Sequence, residues 1–546
     1  MSHQVVFDSL SEEIFLQLMD IHPEVASYMG LRHYDYKLPD GSIESIEREK
    51  GLLKLSLEKL KRIDPKKLGM DYRMDYHALV DYLKLRLFFL EDWPRWKMYP
   101  EAIDVIMYSL IPLLVKDYVS QIERVENIIL RLEAIPKFLE DSKSRLETPI
   151  RIFLNLCLES ANRLQKFIKS LYEHLEKEVG QIVRSKKSVF DKAIEAIEKY
   201  KDWIVSQRSR EIRIFHMGVE VLKKYFKIRG IEWDPYTLLE IAEKDLRWAK
   251  RELTKIASEV KPEMKPIDVI DDIYNKKPAN FAVVLAAYQK AIQEAKRVVI
   301  EKGLASIPRE SLEVRDAPIP IKGIVDPVMY VPPGKYEINK IGKLLITPVE
   351  SEAELKYHNA YYIAHVAIRE GFPGKHLLNT WNAENKSLVR QLVDAPETVE
   401  GWANYVDEVM GEVGYLSGVR DRFYRVYNYL VNAALAIVDI KISLGDLNIQ
   451  NAVKFLMSEA MMDERKALSE VIVCAHSPGY QLSKYYGYKK LMELRDKVRN
   501  ILGSEFNLRW FHDTILKIGI LPIKYLELLT LYKAVEYMSD IKTKSD

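Results

Sequence analysis

Apolar residues recur along the chain at intervals of three and four. Val115, Tyr118, Val119, Ile122, Val125, Ile129 and Leu132 make one such series; Phe190, Ile194, Ile197, Tyr200 and Ile204 make another. This spacing puts the apolar side chains on one face of an α-helix. It predicts helices through both stretches and around 235–258, 279–303, 419–445, 484–502 and 522–540. Stripes of this kind are core-facing seams. No repeat with a period of about 30–50 residues is visible, which excludes a solenoid. One segment breaks the pattern. Pro318 to Pro348 holds six prolines and three glycines around the β-like runs Val328–Val331, Tyr336–Ile338 and Lys343–Ile346. Proline confines such runs to edges and hairpins, so one small sheet is expected at about 320–348, inside an otherwise helical protein.

Composition narrows the function classes. The 546 residues have 82 Lys plus Arg and 80 Asp plus Glu, a net charge of +2. That balance argues against a dedicated nucleic-acid binder. A 48% hydrophobic and 30% charged chain is a folded protein, not a disordered one. Cys157 and Cys474 are the two cysteines, too few for a disulfide framework or a four-cysteine zinc site; both are expected as small core hydrophobes. The start, MSHQVVFDSLSEE, lacks the basic and apolar regions of a signal peptide. The apolar run Met107–Val115 is about half of what spans a bilayer. A cytoplasmic location with no membrane partner is therefore expected. Abundant Lys, Glu, Ile and Tyr with few Gln and Cys fits a thermophile's protein.

Residues 1–310 hold no Gly-rich phosphate loop, no G-x-S-x-G elbow and no Cys/His cluster, which excludes nucleotide-binding and α/β-hydrolase readings. The basic run Arg184–Lys187 reads as a solvated helix face. His358, His365, His376, His476 and His512 all lie near the C-terminal end, so chemistry is sought there. Residues 352–370 read as a helix ending at Gly371 and Pro373. Glu397-Thr-Val-Glu-Gly-Trp-Ala-Asn-Tyr-Val-Asp407 reads as another. Ser477-Pro-Gly-Tyr-Gln-Leu-Ser-Lys-Tyr-Tyr-Gly487 and Phe511-His-Asp-Thr-Ile-Leu-Lys-Ile-Gly-Ile-Leu-Pro-Ile523 follow.

These segments, in this order, resemble the motifs of the domain-of-unknown-function 885 family, largely helical proteins with a zincin-like look. The family pattern runs H-E-G-x-P-G-H-H, E-G-W-A-L-Y-A-E, P-G-Q-A-x-x-Y-K-x-G and F-H-D-x-x-L-x-x-G-x-L-P-L. Met29-Gly-Leu-Arg-His-Tyr-Asp35 and Tyr330-Val-Pro-Pro333 extend the resemblance over nearly the whole chain. It implies a metal hydrolase of peptidase type: His and Glu side chains from two helices around zinc, with a Glu as general base on a metal-bound water.

The chain departs from that pattern where the metal would bind. Arg369 stands at the first His, beside a retained Glu370. Lys375 replaces the first His of the closing pair and leaves His376. The second motif keeps Glu400, Gly401, Trp402 and Tyr405 but closes on Asp407. Tyr480 and Lys484 replace the Gln and Tyr of the third motif, while His512 and Asp513 are retained. A guanidinium stays charged near neutrality and has no acceptor, so Arg369 cannot ligate zinc. Beside Glu370 and Glu400 it is expected to replace the metal by a guanidinium–carboxylate network. His358, Tyr362, His365 and Arg369, spaced four, three and four, are expected on one helical face. If any metal binds, its ligands would be His365, His376 and Glu400. Glu370 is a general base or a structural partner of Arg369. Tyr405 and Tyr485 are candidate donors to a substrate carbonyl. Lys484 is a base, a nucleophile or a salt-bridging residue; His512 is catalytic or structural. Arg369, Lys375, His365, Tyr480 and Tyr485 make up the candidate ligand-binding set.

The expectation is a mainly α fold: a large helical zincin-like shell around a deep cleft with the small sheet on one wall. It is one family-wide unit, 1–546, with a wall lobe to 310 and a site lobe over 311–546. Two function classes stay open. One is a catalytically degenerate relative of metallopeptidases that has lost its zinc, uses no cofactor and binds a peptide or small anionic ligand. The other is an active peptidase-like hydrolase with a relocated zinc or metal-free Glu370/His376 chemistry. Two lost imidazoles in one motif favour the first.

Overall fold

The apolar series from Val115 to Leu132 is carried by two helices, not one. In the computed structural model, which describes residues 2–213, 215–309, 311–322, 327–349 and 351–545, the helix Ala102–Val115 stops and Gln121–Ser142 begins anew. Ser120 caps the second helix by accepting from the Glu123 N–H, one of the donors that a helix start leaves unpaired. Ile122 consequently leaves the seam and is 53% exposed, whereas Val125, Ile129 and Leu132 are buried. The other expected helices form. Lys187–Ser206 buries Phe190, Ile197, Tyr200 and Ile204. Pro235–Val260 starts on an Asp234 cap, with Pro235 in the first turn, and buries Leu238, Ala242, Leu246, Ala249, Leu253 and Ile256. Phe281–Glu301, Val419–Leu444, Tyr480–Leu502 and Ile523–Ser545 complete the set. Cys157 and Cys474 are free and buried.

The fold is mainly α with one small sheet, whose strands are β1 (Leu312–Asp316), β2 (Val328–Val331) and β3 (Gly342–Ile346), in the order β1-β3-β2. β2 and β3 are antiparallel, with Tyr330 opposite Leu344 and Val331 opposite Lys343. Two of the expected runs are thus strands. The third, Tyr336–Ile338, is not: the Tyr336 N–H donates to the Met29 carbonyl at 2.9 Å and the Glu337 N–H to the Gly334 carbonyl at 3.2 Å, so its backbone is committed to a turn. The charged β1 lies just before the proline-rich segment, and its alternation, Leu312-Glu313-Val314-Arg315, is too short to stand out as a strand.

The chain divides into two compact units. The first comprises Met1–Leu68, Tyr82–Phe215 and Arg315–Pro348; the second comprises Gly69–Asp81, His216–Val314 and Val349–Asp546. They are not the consecutive stretches 1–310 and 311–546, and buried charges show why. In the first unit, Lys343 donates to the Val115 carbonyl at 2.6 Å and pairs with Asp117, and Lys116 pairs with Glu337 and donates to the Tyr28 carbonyl at 2.7 Å. These bonds tie the sheet segment to the early helices. In the second unit, Arg390 donates to Asp75 at 2.8 Å, and Lys524 and Tyr525 both donate to Asp81 at 2.6 Å. Among the described residues no single helix is long and apolar enough to cross a membrane.

Candidate functional site

All four C-terminal motifs belong to the second unit. The first does not lie on one continuous helix. Residues Glu352–His358 form a 3-10 turn, and Asn359 caps a new helix, Ala360–Val366, by accepting from the Tyr362 N–H at 2.9 Å. The expected face shared by His358, Tyr362, His365 and Arg369 is therefore broken. His358 instead pairs with Tyr288 at 3.1 Å. Beyond Val366 the chain widens into a π-turn, Ala367–Gly371, a one-residue excess that re-aims the side chains on it. Arg369 and Glu370 both sit on this turn. The Phe372–Pro373 bond is cis, and Lys375–Glu384 follows as a helix. A Cβ at Gly374 would stand 2.1 Å from the Arg369 carbonyl oxygen, so only glycine allows the chain to fold back there.

The second and third motifs meet across two helices, Pro396–Glu412 and Tyr480–Leu502, which touch at their glycines. A Cβ at Gly401 would lie 2.5 Å from the Gly487 carbonyl carbon, and one at Gly487 would lie 1.8 Å from the Glu397 carbonyl oxygen. This crossing brings Glu400 beside Tyr480, whose hydroxyl donates to Glu400 Oε1 at 3.1 Å.

At the centre is Lys375. Its Nζ lies 3.0 Å from Glu370 Oε1 and 2.9 Å from Glu400 Oε1. Lys484 lies over the Tyr480 ring at 5.3 Å. Burial alone would depress the Lys375 ammonium, but the two carboxylates outweigh it and hold its pKa above the ordinary lysine value. Burial likewise pushes Glu400 up, and Lys375, Lys484 and the Tyr480 hydroxyl bring it below the usual carboxylate range. The cation between the carboxylates is thus Lys375 and not Arg369. Arg369 was displaced from that role by the π-turn: the charge that most favours its guanidinium is Asp407, with Tyr424, Tyr362 and Glu370 after it.

Asp407 belongs to a second pair. His365 is fully buried, and its Nδ1 is 2.6 Å from Asp407 Oδ1. Burial raises Asp407, but His365, Arg369 and Arg425 together hold it below the carboxylate range. The His365 ring lies 4.6 Å from that of Tyr424. Lys466, near the start of the helix Glu464–His476, also belongs here. Burial lowers its ammonium, Glu470 and Asp463 oppose this, and Arg369 and Lys484 lower it further. Among the described residues the side chains of Arg369, Lys466 and Lys484 make no hydrogen bond or ion pair. Nothing in the motifs pointed to Lys466, because its only local signal is a lysine in a helix's first turn.

The remaining candidates lie elsewhere in this unit. Tyr405 and His512 bond each other at 2.9 Å (OH to Nε2), and His512 Nδ1 donates to the Leu304 carbonyl at 2.8 Å. Both are buried; Arg495 lies over the Tyr405 ring. Burial, aided by Arg495, lowers His512 to about 4, so the ring is neutral at pH 7, with both nitrogens in hydrogen bonds. Asp513 accepts from the Ser306 N–H and hydroxyl at 2.7 and 2.6 Å. Tyr485 donates to Asp245 at 2.6 Å, with Lys489 at 2.7 Å on the same oxygen. His376 packs edge-on against Phe372, and burial next to Lys296 lowers it to about 3.

Zinc does not fit this arrangement. Among the described residues no group of three or more His, Cys, Asp or Glu side chains is placed to hold a metal ion. The set His365, His376 and Glu400 does not converge: their partners are Asp407, Phe372 and Lys375 respectively.

Fold and site together define a mainly helical protein in which the first three motifs meet at a lysine-bridged pair of carboxylates. It belongs to DUF885, a family of bacterial proteins of unknown function, whose pattern matches residues 23–529. No curated protein matches the chain. Two solved structures share the fold. One, described as "a putative lipoprotein of unknown function" from Shewanella oneidensis, is 21% identical with a TM-score of 0.78, over 96% of this chain and 99% of that one. The other, a "putative lipoprotein" from Colwellia psychrerythraea, is 16% identical with a TM-score of 0.81, over 98% and 99%. The cytoplasmic location expected from the N-terminus is withdrawn on this finding, since both proteins of the same fold are described as lipoproteins, a membrane-anchored class.

Proposed function

We propose that this protein is a metal-free, ligand-binding relative of zincin-like hydrolases, and that its site holds a peptide end or another small anionic ligand. The reading rests on one observation: Lys375 Nζ sits 3.0 and 2.9 Å from Glu370 and Glu400, the carboxylates that the motif logic assigns to a metal and its water. An ammonium there offsets one of the two negative charges and occupies the space between the carboxylates, which opposes the approach of a divalent cation. The same contact holds Glu370 in an ion pair and takes away its freedom to act as a general base. Around it, Arg369, Lys466 and Lys484 carry positive charge not spent on hydrogen bonds or ion pairs among the described residues, which suits an oxyanion. The zincin-like ancestry itself is inferred from the order of the motifs.

Metal content tests this. Tag-free protein, purified without chelators and re-equilibrated with excess zinc, is expected to hold far less than one zinc per chain by plasma mass spectrometry. Near-stoichiometric zinc that disappears in Glu400→Ala would overturn the reading and restore a hydrolase.

A further inference from the structure

The second pair in the site leaves one buried nitrogen unmatched. His365 is 0% exposed, its Nδ1 is taken by Asp407, and its Nε2 has no hydrogen-bond partner among the described residues. A buried acceptor left this way is costly, and a ligand's donor placed there would relieve that cost. Four residues on, the Arg369 side chain also makes no hydrogen bond. The two groups share their surroundings: Asp407 bonds His365 and is the anion that most favours Arg369, and Tyr424 packs on the His365 ring and also interacts with Arg369.

We propose that His365 and Arg369 form a two-point site for a carboxylate that carries a neighbouring N–H donor, as an N-acylated amino acid or peptide end does. This deepens the ligand-binding reading above and rests on it. Arg369 supplies the fork that matches a carboxylate's two oxygens. Asp407 accepts from Nδ1–H, and the tautomer with its proton on that nitrogen has its lone pair on Nε2. Nε2 then accepts from the ligand's N–H. Asp407 is a positioning residue that fixes the tautomer. With Asp407 and Glu370 already beside Arg369, a monoanion is favoured over a dianion such as phosphate.

The probes are N-acetylglycine, acetate and N-acetylglycinamide, titrated calorimetrically into the full-length protein at pH 8. N-acetylglycine has both groups, acetate lacks the N–H and the amide lacks the charge. N-acetylglycine is expected to bind about tenfold tighter than either, the worth of one good hydrogen bond or more. Arg369→Gln should abolish the difference from the amide. Asp407→Asn should abolish the difference from acetate, and nitrogen NMR of His365 should then show the proton moved to Nε2. Arg369→Lys, which keeps the charge without the fork, serves if Arg369→Gln does not fold, and should weaken N-acetylglycine without reordering the probes. Equal affinity for acetate and N-acetylglycine, or no binding of N-acetylglycine, overturns the two-point site. Neither result touches the metal-free reading, which the zinc content decides separately.

Discussion

Gly401 and Gly487 meet backbone to backbone where the helices Pro396–Glu412 and Tyr480–Leu502 cross, and this contact places Glu400 under Tyr480. Glycine in mid-helix normally costs about 1 kcal/mol relative to alanine, so Gly487→Ala on an open face would stabilise. Here the added methyl would lie 1.8 Å from the Glu397 carbonyl oxygen. Backbone cannot yield as a side-chain tip does, so overpacking wins. Gly487→Ala is expected to lose about 3 kcal/mol in urea denaturation. An unchanged midpoint would mean that the crossing is looser than described.

Among the described residues, Lys375 is the cation paired with both Glu370 and Glu400, whose side chains are only 23% and 12% exposed. Lys375→Met keeps the bulk and removes the charge, so destabilisation of about 2–4 kcal/mol at neutral pH is expected. The contribution of Glu400 to the pH dependence should change sign as well. In the native protein Glu400 lies below its ordinary value, so its contribution is present at neutral pH and lost as pH falls through that lowered value. In the variant burial dominates and raises Glu400. The folded state then binds the extra proton, so the variant should lose less stability than the native protein, and the gap between them should narrow, as pH falls from about 6.5 to 4.5. Thermal midpoints across this range, for both proteins, read the two slopes directly.

Much of the fold is legible in the sequence because long helices announce themselves by periodicity. Leu238, Ala242, Leu246, Ala249, Leu253 and Ile256 leave little else to choose. Breaks are harder. Asn359 and Ser120 each interrupt an apolar series that stays periodic across the gap, and only their capping chemistry marks the stop. The site was legible as a set of motifs but not as a wiring diagram. Arg369 occupies the lost imidazole's place in sequence, yet the π-turn over Ala367–Gly371 re-aims it, and Lys375, one helix start later, reaches the carboxylates instead. No pattern of residue types reveals a one-residue widening of a helix. The pairing of Tyr405 with His512, and of Tyr485 with Asp245, was hidden for another reason: these bonds join residues 107 and 240 positions apart.

If the site descends from a metal centre, restoring its imidazoles should restore affinity. Arg369→His combined with Lys375→His removes the bridging ammonium and puts imidazoles back at the two altered motif positions. Uptake approaching one zinc per chain is expected in the double variant alone, because Lys375→His leaves a guanidinium nearby and Arg369→His leaves the ammonium in place. Equilibrium dialysis against buffered zinc measures this. No zinc gained by the double variant would remove the support for a zincin-like ancestry.

His376 and His512 should behave as neutral rings over the whole working range. Burial, with Lys296 beside one and Arg495 beside the other, lowers them to about 3 and about 4. Unfolded histidines take up protons near pH 6.5, so the unfolded chain gains protons that the folded one refuses. The stability these rings confer is complete above pH 6.5. It falls by up to about 1.4 kcal/mol per pH unit per ring as pH drops towards their folded values. Proton NMR of the imidazoles should show two rings whose shifts stay flat from pH 8 to 5. Assignment by His376→Gln and His512→Gln identifies them, and a ring titrating near 6.5 would contradict its buried placement.

The Tyr405–His512 bond separates a structural role from a catalytic one. Tyr405→Phe removes only the hydroxyl that donates to Nε2 at 2.9 Å, and the His512 ring stays fixed through its 2.8 Å bond to the Leu304 carbonyl. A buried acceptor is left unsatisfied, so about 1–2 kcal/mol of stability should be lost. The Lys375 bridge shares no hydrogen bond with this pair. Ligand affinity at Arg369 and the zinc content should therefore remain those of the native protein. A variant that kept its denaturation midpoint but lost ligand binding would move Tyr405 from the core of this unit into its site.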